Sequence, residues 1–203
     1  MKSFLHVGCG QKRKGQTTRG FATDDWREVR FDIDEAVQPD IVGTIADMTA
    51  VDSESFDAVF SSHNIEHLFP HEVVPALREF RRVLKPDGFA VVTCPDLQSV
   101  ARLIAEDKLI EPAYTSPAGP ISPLDILYGH RASLARGQHY MAHKTGFTES
   151  SLRRCFAEAG YATIGSMKRE GPSFDLWIIG TRAVMDEAGL RAIAMDHFPL
   201  RAR

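Results

Sequence analysis

Long apolar runs are missing from this 203-residue chain. No stretch approaches the roughly 18 consecutive apolar residues that a membrane-crossing helix needs, and Met1 to Gly10 holds only a short one, broken at His6. The expectation is a chain with neither signal peptide nor anchor. Cysteine is scarce as well. Cys9, Cys94 and Cys155 are odd in number, far apart and without a CxxC pair, which argues against a disulfide framework and a thiolate zinc site and points to a reducing, cytoplasmic setting. Nor is there an excess of charge of one sign: 24 Lys and Arg stand against 27 Asp and Glu, so no global field draws the chain to nucleic acid or anionic lipid. Neither is expected as a partner.

What is present describes a folded domain. With 43% of residues hydrophobic and 25% charged, the chain is neither disordered nor fibrous, and its length suits one sizeable core. Short apolar runs bounded by turn residues lie at Ser3 to Val7, Glu28 to Asp32, Ile41 to Thr44, Phe56 to Ser61, Gly88 to Cys94, Ala162 to Lys168 and Asp175 to Thr181. Helical patterns separate several of them. Glu72 to Leu84 places Val73, Val74, Leu77, Phe80, Val83 and Leu84 near one face; Leu97 to Lys108 is amphipathic, and a helix capped by Thr148 runs through Leu152 and Phe156 to stop at Gly160. Such alternation predicts an α/β fold: a Rossmann-like, doubly wound, mostly parallel seven-stranded sheet with helices on both faces. The segment from Glu111 to Gly146, rich in proline, glycine and histidine, reads as a cap inserted before the last two strands. Residues 1–203 are thus expected to form a single domain, with a cofactor-binding half at 1–110, the cap at 111–146, a closing helix and two strands at 147–182, and a helical tail at 183–203.

Gly8-Cys9-Gly10 ends the first strand, where absent β-carbons let a ligand approach the backbone, and Asp32 ends the second strand 22 residues past Gly10, where a carboxylate accepts hydrogen bonds from ribose hydroxyls. Together they predict a nucleoside site. A dinucleotide fingerprint would have a third glycine at position 13, and Arg13 stands there. S-adenosylmethionine, which has a ribose and no phosphate, suits the truncated motif better.

An ordered set of motifs extends this reading: Leu5 to Gly10, Phe31-Asp32-Ile33-Asp34, Ser55 to Val59, Ser61-Ser62-His63, Glu66-His67 and Leu77-Arg78-Glu79-Phe80-Arg81-Arg82-Val83-Leu84-Lys85-Pro86-Asp87-Gly88. In these the chain resembles the class I S-adenosylmethionine-dependent methyltransferases, and their type 11 domain in particular. The likeness runs from Leu5 to about Asp96 and returns at Gly146-Phe147-Thr148 and Leu152 to Tyr161. It implies methyl transfer from S-adenosylmethionine, leaving S-adenosylhomocysteine, to a small or sugar-like acceptor. It further implies that Gly8 and Gly10 face the methionine portion, Asp32 the ribose, Asp47 and Met48 the adenine, and Ser61, Ser62 and His63 the ammonium and methyl sulfonium, with His6, Cys9 and Ile33 beside them as further cofactor-binding candidates. The chain departs from the family pattern at His6, usually acidic, at Lys12, usually the third glycine, and at Thr44, usually acidic.

If the acceptor is a hydroxyl, a base assists, and His63, Asp96 and His143 are the catalytic candidates. Tyr128, His130, His139 and Tyr140 in the cap are the candidates for holding the acceptor. Gln11 to Arg19, with Lys12, Arg13, Lys14 and Arg19, reads as a solvated loop before it reads as a basic rim. His63-Asn64-Ile65-Glu66-His67 also spells HxxEH, the inverted zinc-protease motif. Pro70 and the strand before the motif weigh against it, and no metal ligands are assigned. Two alternatives stand beside methyl transfer: a nucleoside-binding module without turnover, and a zinc hydrolase using residues 63–67. Acceptor and oligomeric state carry no motif.

Overall fold

The computed structural model describes residues 1–169 and 173–199. Strand β1 (Lys2–Val7) pairs in parallel with β2 (Trp26–Asp32) on one side and β4 (Phe56–Ser62) on the other; β3 (Ile41–Val42) extends β2, and β5 (Leu84–Pro95) extends β4. Beyond a cap hairpin of β6 (Tyr114–Ser116) and β7 (Gly119–Ile121), β8 (Thr163–Arg169) and β9 (Asp175–Thr181) complete the main sheet, β9 running antiparallel to both β5 and β8. The order is β3-β2-β1-β4-β5-β9-β8. Seven strands, mostly parallel, agree with the sequence reading. The third is shorter than expected, ending at Val42, and the fifth begins at Leu84, joined to Phe56 across a register shift.

Alternation along each strand sorts the core into two layers. Leu5, Val7, Val59, Ala90, Val92 and Ile178 face helix α1 (Pro70–Val83) and α5 (Glu149–Glu158), with Leu77, Phe80, Leu152 and Phe156 inserted between sheet and helices. Helix α1 opens on Pro70 at its first turn, where a missing N–H costs nothing, and Glu72 folds back to accept from the Phe69 amide at 2.8 Å. Helix α2 (Leu97–Ala105) lies past the carboxyl end of β5 and packs on α3 (Pro123–Tyr128) of the cap, which also holds α4 (Arg131–Ala135) and a 3-10 turn at His139–Met141. The segment at 111–146 is therefore built from short elements. The proline spacing hid them because each is under two helical turns long.

The opposite face is covered in another way. Residues 8–25 form no α-helix, only a 3-10 turn at Lys14–Gln16, so the crossover between the first two parallel strands lacks the usual helix. Phe21 takes its place, stacking on Phe4 with ring centroids 4.2 Å apart and meeting Trp26 edge-on at 5.0 Å, over Phe60 and Phe89. Helix α6 (Glu187–His197), capped by Asp186, then closes the layer with Leu190, Ile193 and Ala194. The tail helix, which the sequence leaves without a role, thus supplies part of the second apolar wall. No helix among the described residues is long and apolar enough to cross a membrane.

His197 joins the tail to the loop: its Nδ1 lies 2.7 Å from Thr18 Oγ1 and its ring 4.2 Å from Phe21. Burial pushes its pKa down to about 4, against a smaller opposing pull from Asp196. The unfolded chain takes up a proton below about pH 6.5 and the folded chain does not until about pH 4, so this contribution is whole above 6.5 and lost as pH falls toward 4. It amounts to at most about 3 kcal/mol. Thermal melts of the wild type and His197→Gln across that range are expected to show the steeper acid loss in the wild type; parallel curves would dismiss the residue as its cause.

Candidate active site

The first glycine loop is built by its neighbours. Gly8 has φ +65, and a β-carbon there would lie 2.4 Å from Asn64 Nδ2, so both backbone conformation and space demand glycine. Gly10 has φ +51 but open space where its β-carbon would be. The Gly8 and Cys9 amides donate to the Phe31 carbonyl at 2.9 and 3.3 Å, and the Gly10 amide donates to Asp32 Oδ2 at 2.7 Å. Asp32 Oδ1 accepts from the Asp34 amide at 3.0 Å. Arg30, buried behind the loop, donates to the Gly10 carbonyl and, at 2.6 and 3.1 Å, to the Gln38 and Val37 carbonyls. The end of β1 and the carboxylate ending β2 therefore meet in one place.

That place is a cavity of about 570 Å³ at the carboxyl ends of β1, β2 and β4. Of the residues expected to hold cofactor, His6, Gly8, Cys9, Gly10, Asp32, Ile33, Ser62 and His63 line it. Others do not. Met48 is wholly buried in the core, Asp47 turns outward and accepts from the Thr49 amide at 3.0 Å, and Ser61 is sealed beneath Asn64. Thr44, Ile45 and Ala46 line the wall where Asp47 and Met48 were expected. The His6 ring is tied to Glu28, Nδ1 to Oε1 at 2.6 Å, and is closed off from solvent. A neighbouring-strand acid accounts for the histidine at a position where the family has a carboxylate.

The cap forms the roof, and of the four cap residues the sequence suggested Tyr140 alone lines it. Tyr140 lines the cavity, its hydroxyl 3.4 Å from Asp34 Oδ2, together with Gln138, Met141 and Lys144. Tyr128 is 62% exposed, His130 pairs with Ser133 Oγ at 2.9 Å at the start of α4, and His139 stands outside the lining. Lys144 was missed because one lysine in a mixed segment carries no pattern. It lies 4.7 Å over the Phe69 ring, and its amide, with that of Thr145, donates to the Glu66 carbonyl, pinning the cap's end to the loop after β4.

None of the three candidate bases is a free base in the cleft. Asp96 caps α2, accepting from the Gln98 amide at 3.1 Å and Ser99 Oγ at 2.6 Å. His143 donates from Nδ1 to the Ile126 carbonyl at 2.7 Å and lies outside the cavity lining; burial moves its pKa down. His63, held at φ +53, places Nε2 3.2 Å from Asp175 Oδ1 and Nδ1 3.5 Å from Glu66 Oε1. Burial alone would discharge it, but the two carboxylates outweigh that and hold its pKa up at about 10. It is an imidazolium clamp at neutral pH. The HxxEH reading fails on geometry, since residues 65–67 form one 3-10 turn and His63 points to Asp175, so the motif lacks the helix that reading requires.

Residues 5–92 match a protein-family profile described as a methyltransferase domain. Among solved structures, an S-adenosylmethionine-dependent methyltransferase from Methanosarcina mazei superposes with a TM-score of 0.59 at 14% identity, covering 91% of this chain and 93% of that one. A possible histamine N-methyltransferase from Thermotoga maritima gives 0.56 at 15%, covering 90% and 83%. The Burkholderia thailandensis 1,6-didemethyltoxoflavin-N1-methyltransferase, solved with 1,6-didemethyltoxoflavin and S-adenosylhomocysteine, gives 0.56 at 13%, covering 89% and 70%. At these identities the likeness is one of fold. No curated protein sequence matches.

The two glycines make separable demands. Gly8→Ala is expected to lose about 1–2 kcal/mol to its left-handed backbone and more to the contact with Asn64, while Gly10→Ala loses only the first part. Urea unfolding of both checks this, and equal losses would show that Asn64 gives way freely.

Proposed function

We propose that this chain, whose residues 5–92 match a methyltransferase domain and whose fold is shared with S-adenosylmethionine-dependent methyltransferases, is an enzyme of that class, and that the cavity over Gly8, Gly10 and Asp32 holds the methyl donor beside a small acceptor roofed by the cap. The supporting observation is where the loop's N–H groups go. All three amides of Gly8, Cys9 and Gly10 are bonded inward to β2. A diphosphate needs free N–H groups and the positive end of a helix, and here the loop leads into a three-residue 3-10 turn. What the loop can offer is carbonyl and Cα surface, which suits a sulfonium and an ammonium. Asp32 has further lone pairs for two ribose hydroxyls, and Ile33, Ile45 and Ala46 give an apolar wall for the base.

S-adenosylmethionine supplies an electrophilic methyl group. The acceptor must meet it in line, and holding that alignment is what the walls can do: Ser62, His63 and Asn64 below, Gln138, Tyr140 and Lys144 above. With Asp96 capping a helix and both His63 nitrogens engaged, alignment and exclusion of water carry the rate in this reading, and no protein base is assigned. The cavity's size, within the range of ordinary small-molecule sites, leaves space for a small acceptor once a nucleoside with an amino-acid arm is seated. The unpaired thiols Cys9, Cys94 and Cys155 are in keeping with a cytoplasmic setting.

S-adenosylhomocysteine at about 100 times its dissociation constant is expected to stabilise the protein by roughly 2.7 kcal/mol, read as a rise in melting temperature, and NAD to give none. Asp32→Ala should abolish the response, since it removes the sugar's acceptor and frees the Gly10 amide. A response to NAD alone, or one untouched in Asp32→Ala, would refute the assignment. Radiolabelled methyl incorporation into small-molecule extracts tests turnover directly.

A further inference from the structure

Behind the cavity, three hydrogen-bond acceptors converge with no proton between them. Glu66 is 1% exposed, and apart from the ion pair of Oε1 with His63 Nδ1 at 3.5 Å its carboxylate oxygens have no partner among the described residues. His67 and His143 flank it, their rings edge to face with centroids 5.0 Å apart, and one ligand atom from each of the three lies within 4.8 Å of the others. The tautomers follow from the far sides of the rings. His67 Nδ1 is 3.1 Å from the Ala142 carbonyl oxygen, and His143 Nδ1 is 2.7 Å from that of Ile126. A carbonyl only accepts, so each Nδ1 carries a proton, and in the neutral ring each Nε2 then keeps a lone pair free to ligate. Two imidazole lone pairs and a carboxylate gathered here repel one another, and the His63 cation, 3.5 Å from Glu66 Oε1 and held on its other side by Asp175, answers neither lone pair, whereas a cation among the three would.

We propose that Glu66, His67 and His143 form a binding site for a divalent first-row transition metal, with zinc as the fitting ion. Two neutral imidazoles and one carboxylate are a donor set that such ions favour over magnesium or calcium, which prefer oxygen alone. The supporting geometry is also that of a metal site: ligating histidines characteristically donate their other N–H to a backbone carbonyl, which sets the ring's tautomer and orientation. Tetrahedral zinc places its ligand atoms roughly 3.3–3.5 Å apart, so the three donors close by about an ångström or so on binding. His67 belongs both to this cluster and to the cavity lining, so the site borders the cleft. The cluster also ties the cap, through His143 and the Ala142 carbonyl, to the turn after β4. HxxEH therefore holds two of the ligands, Glu66 and His67, while the third arrives from 76 residues further along the chain, and His63 is excluded from the set because it is paired with Asp175. The inference stands on these residues and does not depend on the identity of the methyl donor.

The test uses the full chain, stripped with a chelator and titrated with Zn²⁺ by calorimetry, with metal content checked after dialysis and Co²⁺ as a spectroscopic probe. A single zinc per chain is expected, with His143→Ala and Glu66→Gln each weakening binding by more than about tenfold and His63→Ala sparing it. In His143→Cys the cobalt complex should gain a thiolate-to-metal charge-transfer band, a positive signal that a merely misfolded variant cannot give. Wild-type protein that takes up no stoichiometric zinc, zinc binding that survives both His143→Ala and Glu66→Gln, or a cobalt complex of His143→Cys without the band would each overturn the site. S-adenosylhomocysteine melts on the same samples separate the two readings: a preserved nucleoside response without zinc uptake removes the metal site alone.

Discussion

The Asp32 carboxylate organises the cleft. One oxygen takes the Gly10 amide and the other the Asp34 amide, so a single side chain at the end of β2 sets the path of the loop leaving β1 and of its own. Charge-assisted bonds of this kind are roughly twice as strong as neutral ones, and here they act across adjacent strands whose register is already set. Because the loop's N–H groups are all turned toward β2, the face it shows the cavity is poor in donors. The same interaction that shapes the crevice thus also takes up the N–H groups of its first loop.

A second carboxylate, Glu66, sits at the joint between sheet and cap. Its backbone carbonyl accepts from Lys144 and Thr145, its side chain lies among three histidines, and His63 beside it spans the gap to Asp175 on β9. The cap's closing residues are thereby fastened to the turn that follows β4, one of the strands whose carboxyl end forms the floor of the cleft. Any change of charge at Glu66 is felt by the roof and the floor together.

Absence of a helix between β1 and β2 has a consequence on the far side of the sheet. An open sheet face of phenylalanines needs cover, and residues 18–26 with α6 provide it from the two ends of the chain. His197 marks that seam, buried and neutral where helix and loop meet. Arg30 and Glu28, on the same face nearer the cleft, answer the loop's carbonyls and His6 in place of apolar packing. This polar patch explains why Gln11 to Arg19 shows no apolar stripe.

Much of the architecture could be read directly. Buried parallel strands are apolar on both faces, so Phe4-Leu5-His6-Val7, Phe56 to Ser61 and Phe89 to Cys94 announce themselves, and the period of Val73, Leu77, Phe80 and Val83 announces α1. That Gly8, Gly10 and Asp32 meet at one cavity was legible because the ends of two adjacent parallel strands have a fixed spacing. Asp47, Met48, Ser61, Asp96, Tyr128, His130, His139 and His143 stand outside the cavity lining, since a residue type does not say where its side chain points: Asp96 caps a helix, and His143 lies behind the cavity. The sequence by itself determined the sheet, its order of elements and the end of it that carries the glycine loop and Asp32, all of which follow from local periodicity and short-range spacing. Only the tertiary structure decided that Glu66, His67 and His143 meet, that α6 covers the second face, and that Lys144 roofs the cleft. Those depend on contacts between residues far apart in the chain, which side-chain direction and burial settle and composition does not encode.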